Sequence, residues 1–308
     1  MVLTSYEAGL AAFGEDAEGS PGMATLLRLL FQNGAGKVVA VAVSEEDYAA
    51  AFAVLANQED IQVVVCDSGD AAVQQTLRTS VEGASAARKE RIAVVGMADG
   101  TAEQLVERAK ALNSERMVLV GGDVLDTTGK ALSGMFAAAA VAGAIAANGD
   151  PAIPLNGTAL HGLGGVKAQP SDNDIDLLVR GGVTPLEAVG GVVSPVRGIT
   201  TRTTTGEAKD ITWRELTTIL IVDDVIPAIR SSLRSRFSKT KNTAQTRGAI
   251  RSQVIVELES KLRAQIIDGY GEVAVSVYDQ DPTVCLVEFS FAVAHGLNQI
   301  YLTAHITI

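Results

Sequence analysis

Seven basic residues, Arg230, Arg234, Arg236, Lys239, Lys241, Arg247 and Arg251, follow one another with no acidic residue between them in a chain of formal net charge −11. Such a strip is suited to an anion: a phosphate backbone, a nucleotide or an acidic protein face. Other residues approach known chemistry and stop short. The sequence GGDVLDTTGK (121–130) has the setting of a phosphate-cradling loop, between a predicted strand and a predicted helix. However, no glycine stands five positions before Gly129, and Ala131 replaces the hydroxyl that would hold magnesium. Asp172, Asp174 and Asp176 have the spacing that opens a calcium loop, but Leu177 stands where glycine is needed and Val183 where a bidentate glutamate is needed. Helix capping is the better use for them. His161, His295 and His305 have neither a cysteine nor a second histidine at ligand spacing. Asp223 and Asp224 are adjacent, so they diverge from a helix start and cannot face each other as an acid pair. No metal and no cofactor is expected.

The elements that would position these residues fall into two parts. With 308 residues, 47% hydrophobic and 20% charged, the chain can bury a sizeable core and is expected to hold two domains, at 1–205 and 206–308. Residues 1–150 carry 20 acids against 10 bases, and the remainder 16 against 15, so nearly all the negative charge lies in the first half. Apolar runs at 38–43, 61–66, 91–97 and 116–121 are short and rich in valine and isoleucine, as strands covered on both faces are. Helical patterns lie between them at 44–56, 71–81 and 101–112, with Ser44, Asp47 and Thr101 as N-caps. The alternation predicts an α/β domain with a helix-flanked, mostly parallel sheet. A helix over 131–147 closes the series. It is too short and too rich in alanine and glycine for a membrane span, and no membrane insertion is expected.

Residues 148–170 read as a long ordered loop. Ser171 and Asp174 frame a short helix to Val179 in capping-box fashion, and 181–205 as short strands or extended connections. Residues 215–222 are β-branched enough for a strand, after which Asp223 or Asp224 caps a helix with Pro227 in its first turn. Val222, Val225, Ile226, Ile229, Leu233 and Phe237 would form its apolar stripe. A second helix is expected over 243–265, with Ile250, Val254, Leu258 and Leu262 inward. Arg247 and Arg251 lie one turn apart on that side. The rest is β, making the second domain α+β. Cys285, Val287, Phe289, Phe291 and Val293 alternate with polar residues, as do Ile300, Leu302, Ala304, Ile306 and Ile308. That last strand either finishes its own sheet or joins the sheet of another subunit. Cys66 and Cys285 read as buried reduced thiols, and the N-terminus lacks the pattern of a signal peptide.

The segment SGMFAAAAVAGAIAA (133–147) resembles the helix that carries the nucleophile of subtilisin-like proteases, with Gly134 where the serine would stand. No histidine precedes His161, so the base is missing too. Three further segments, 137–157, 174–203 and 211–237, resemble in order the tail sheath proteins of contractile phage tails. LNQIYLTAHITI (297–308) resembles that family's closing strand, 3–14 resembles its entry segment, and 30–34 resembles a later turn of the family. The resemblance implies a non-enzymatic structural protein with a catalytically silent subtilisin-like core domain and an α+β C-terminal domain. It implies self-assembly into stacked hexameric rings around an inner tail tube protein, contacts with baseplate and tail terminator proteins, and a place in the virion tail after assembly in the bacterial host cytoplasm. The family's N-terminal arm is missing from this sequence, which leaves the C-terminal strand as the expected inter-subunit strand. The basic strip then becomes a contact with the tube or a neighbouring subunit. Two other readings remain: a nucleic-acid-binding protein using the strip, opposed by the acidic total charge and 4% aromatic content, and a nucleotide-binding α/β enzyme, opposed by the absent glycine fingerprints.

Overall fold

The computed structural model describes residues 1–98 and 100–298. The chain divides into two compact units, Met1–Gly149 with Pro154–Leu216, and Asp150–Ile153 with the residues from Thr217 onward.

The first unit is built on a five-stranded sheet in the order Val192–Pro195, Val183–Val189, Met117–Gly121, Ile92–Gly96, Val63–Val64. The last four are mutually parallel, and the first returns as an antiparallel hairpin. Residues 92–95 and 117–120 are at most 1% exposed, which explains why these strands read as unbroken apolar runs. Ala93, Val95, Met117 and Leu119 point to one face, where Leu77 and Val81 of the Ala71–Ala86 helix and Leu105, Ala109 and Leu112 of the Ala102–Leu112 helix complete a core. Val94 and Val118 alternate to the other face, covered by the Gly134–Ala147 helix. That helix packs closely because its residues are small: a Cβ on Gly143 would lie 2.7 Å from the carbonyl oxygen of Leu30, in the Met23–Gln32 helix.

Local signals held where capping chemistry fixed them. Asp47 caps the Tyr48–Asn57 helix, Thr101 forms a capping box with Gln104, and Ser171 does so with Asp174. Elsewhere non-local pairing decided. The 38–43 run does not join the parallel sheet: only Val38–Val39 is strand, paired antiparallel with Val2–Leu3. The expected 148–170 loop contains a strand, Leu163–Val166, paired with Val124–Asp126, which also pairs with Ala131–Leu132. The buried helix therefore begins at Gly134 and not at Ala131.

Among the described residues, the second unit holds two helices, Leu216–Phe237 and Ala244–Arg263, and two antiparallel strand pairs. Ile267–Tyr270 pairs with Phe291–Val293, and Ala274–Tyr278 with Asp281–Glu288. Its core gathers Ile221, Val225, Ile229, Val254, Leu258, Ile267 and Val273, with Leu233 and Leu262 at the margin. The expected strand at 215–222 is the start of the first helix, so Pro227 lies inside that helix and removes the amide that would donate to the Asp223 carbonyl. Neither Asp223 nor Asp224 is a cap. The buried stripe is accordingly Ile221, Val225 and Ile229, one turn apart, while Val222 and Ile226 are half-buried. Cys66 is buried as expected, but Cys285 is half-buried, because the hairpin that carries it has one face open. The expected strand residues Ile300, Leu302, Ala304, Ile306 and Ile308 lie outside the described residues.

Candidate functional site

The seven basic residues converge through the geometry of one helical hairpin. Asp224 pairs with Lys261, and Ser232 accepts a hydrogen bond from the buried Gln253 amide at 2.8 Å. Moving eight residues on along the first helix thus moves eight back along the second, which fixes an antiparallel register. The same register brings Arg234 level with Arg251 and sets all seven charges in the turn end of the hairpin and the loop that joins the helices.

Their surroundings differ. Arg234 and Arg236 occupy the last turn of the Leu216–Phe237 helix, where cations complement the exposed carbonyls. With Lys239 and Lys241 they are exposed and have no ion pair among the described residues. Arg230 is half-buried. Arg247 donates to Asn242 Oδ1 at 2.9 Å, and Asn242 donates in turn to the Pro282 carbonyl at 2.8 Å, so the joining loop is tied to the Asp281–Glu288 strand. Arg251 donates through Nε to the Val273 carbonyl at 2.8 Å. Two members of the strip therefore hold their own unit together while four project from it. The contact of Arg251 could not be anticipated from sequence, because its acceptor lies 22 residues on, in the connection that precedes the Ala274–Tyr278 strand, and the Arg247 bond to Asn242, five residues away, depends on how the joining loop folds back.

The near-catalytic motifs are occupied by their own side chains. At 121–130 the Asp126 carboxylate accepts from the Thr128 and Lys130 amides at 2.8 and 2.9 Å and from the Thr128 hydroxyl at 2.6 Å. The Thr128 hydroxyl and then the two amides hold its carboxyl below the usual range, despite some burial. An anionic group already fills the turn that a phosphate would need. Asp174 is drawn down chiefly by the Ser171 hydroxyl it caps with, and Asp176 pairs with Arg180 at 2.9 Å. A Cβ on Gly134 would lie 2.5 Å from the Met97 carbonyl oxygen, so no nucleophilic side chain fits there. The neighbouring Ser133 hydroxyl is buried and, among the described residues, has no hydrogen-bond partner and so no base.

A cleft of about 550 Å³ at the C-terminal edge of the parallel strands, where α/β sheets commonly take ligands, escaped the sequence reading. Asp123 there accepts from the Gly134 amide at 3.1 Å and pairs with Lys167 at 3.4 Å. Thr101 and Asp174 line it too and are used as caps. Asp123, Thr101 and Asp174 are thus each engaged at the start of a helix.

The sequence matches the model of the phage tail sheath protein central domain over residues 42–201 and that of the phage tail sheath C-terminal domain over 208–307. The chain belongs to the phage tail sheath family. This sheath chain is 28% identical over 253 residues to the tail sheath protein of Bacillus phage SP01, a match covering 80% of this chain and 43% of the relative. Its fold is similar to that of the sheath tail protein of Desulfitobacterium hafniense, with a TM-score of 0.65 and 17% identity over 82% of this chain and 61% of that one. It is also similar to the helical sheath of the anti-feeding prophage in its contracted state, with a TM-score of 0.74 and 15% identity over 99% and 87% of the two chains. The sheath chain thus spans less than half the length of the curated relative and under two thirds of the Desulfitobacterium protein.

Proposed function

We propose that this sheath chain is a non-enzymatic structural subunit of a contractile phage or phage-like tail, located in the virion tail and assembled in the bacterial host cytoplasm. It polymerises as stacked hexameric rings around an inner tube, meets baseplate and terminator proteins at the ends, and contracts to drive the tube through the target envelope. The observation that carries this reading is the ordered pair of family matches, central domain then C-terminal domain, across 42–201 and 208–307. Their junction supports a functional boundary near 205/206. The basic hairpin end is the contact with the tube or a neighbouring subunit, and the 300–308 segment is an inter-subunit strand. No cofactor is needed, because contraction rearranges rigid subunits. The packing around Gly134 supports a silent core.

Negative-stain microscopy of the concentrated protein tests assembly: rings or ribbed tubes are expected, and a persistent monodisperse monomer would count against it. Charge reversal at Arg234, Arg236 and Lys239 tests the hairpin end without touching the bonds of Arg247 and Arg251. Tube-dependent assembly unchanged by that reversal would rule out the basic end as the contact.

A further inference from the structure

Residues 38–43 and 61–66 are both strand-like in sequence, and a groove of about 230 Å³ within the first unit is lined by Val38 and Val39 from the first run and by residues 61–65 from the second. The backbone groups facing that groove can be identified. Ile92 donates to the Gln62 carbonyl, and Val64 pairs with Ala93, so the amides and carbonyls of Val63 and Val65 point away from the sheet. On the other side, Ala40 exchanges both backbone hydrogen bonds with Met1, so those of Val39 and Val41 point away from the Val2–Leu3 strand. Among the described residues no hydrogen bond joins the two segments. Two open strand edges therefore face each other over an apolar floor that includes Leu30 and Leu55.

The connection between them already has the form of a crossover. The Tyr48–Asn57 helix packs on the Ala71–Ala86 helix, on the face where the other crossover helices lie. Its C-terminal end is fixed by the buried Arg91, which donates to the Leu55 and Gln58 carbonyls, both at 2.8 Å. The turn before the helix is strained: Glu45 and Glu46, successive non-glycine residues, have φ of 52° and 60°.

We propose that residues 38–43 are a strand poised to close, in parallel, onto the free edge at 61–66, releasing the strain at Glu45 and Glu46. Closure converts the five-stranded sheet into a seven-stranded one, because the Val2–Leu3 strand travels with its partner. The device does not depend on the assembly proposed above.

Site-resolved hydrogen exchange on the full chain tests it, with the Val94 amide as the reference for the intact sheet. The Val39, Val41, Val63 and Val65 amides are expected to exchange at least about a hundredfold more slowly than unprotected amides, as ladder amides do. Exchange at the unprotected rate with Val94 still protected would overturn the proposal. In a Glu45→Gly/Glu46→Gly variant, glycine removes the cost of the open arrangement, so protection at the four amides should fall at least about tenfold with Val94 unchanged. Protection that stays the same or rises in that variant would overturn the proposal as well.

Discussion

Gly96 and Gly134 meet backbone to backbone: a Cβ on Gly96 would lie 2.1 Å from the Gly134 carbonyl oxygen. The buried helix begins directly against the end of a central strand, at the place where a nucleophile would have to stand. Gly134→Ser is therefore expected to install no hydrolytic activity and to destabilise the first unit by about 3 kcal/mol through overpacking. Denaturant unfolding checks the energy, and an ester hydrolysis assay checks the chemistry.

Asp16 acts as a remote cap. It accepts from the Ala24 and Thr25 amides at 2.9 and 2.8 Å, at a helix start where Gly22 offers no side chain. Burial pushes its carboxyl up, but the bonds from Thr25, Gly22 and Ala24 outweigh that and hold it below its ordinary value. A depressed folded-state value means the stabilisation is present above the unfolded value and disappears as pH falls through the folded one. Asp16→Ala should cost about 1 kcal/mol at neutral pH. In unfolding titrations that difference should shrink once pH drops below about 4.

Arg91 is only 2% exposed, and its guanidinium donates to the Lys89, Leu55 and Gln58 carbonyls. Arg91→Met keeps much of the volume and strands those acceptors. A loss of about 2–3 kcal/mol is expected from thermal or denaturant unfolding.

The arginines of the hairpin end should separate by role. Arg251→Met removes the bond to the Val273 carbonyl and should lower stability by about 1 kcal/mol. Arg236→Met, at an exposed position, should stay within about 0.5 kcal/mol of the parent. Equal losses in the two variants would contradict this division.

What could be read in the sequence was what local chemistry determines. The capping box at Ser171 and the N-cap at Thr101 each need only a four-residue window, and the central strands reveal themselves because both faces are apolar. The 215–222 segment misled because Leu216 and residues 218–221 are all buried. A helix enclosed on every side loses its periodicity and looks like a strand. The basic strip was visible as composition. Its gathering at one end depends on the Ser232–Gln253 and Asp224–Lys261 pairings across the hairpin, which no single window contains.

The antiparallel hairpin also has an electrical consequence. At its turn end the negative pole of the Leu216–Phe237 helix lies beside the positive pole of the Ala244–Arg263 helix, so the two macrodipoles largely cancel there. The potential at that end is then set by side chains and decays over about 8–10 Å in physiological salt. It acts as a short-range patch whose strength can be tuned through its four exposed members, Arg234, Arg236, Lys239 and Lys241, without altering the backbone that presents it.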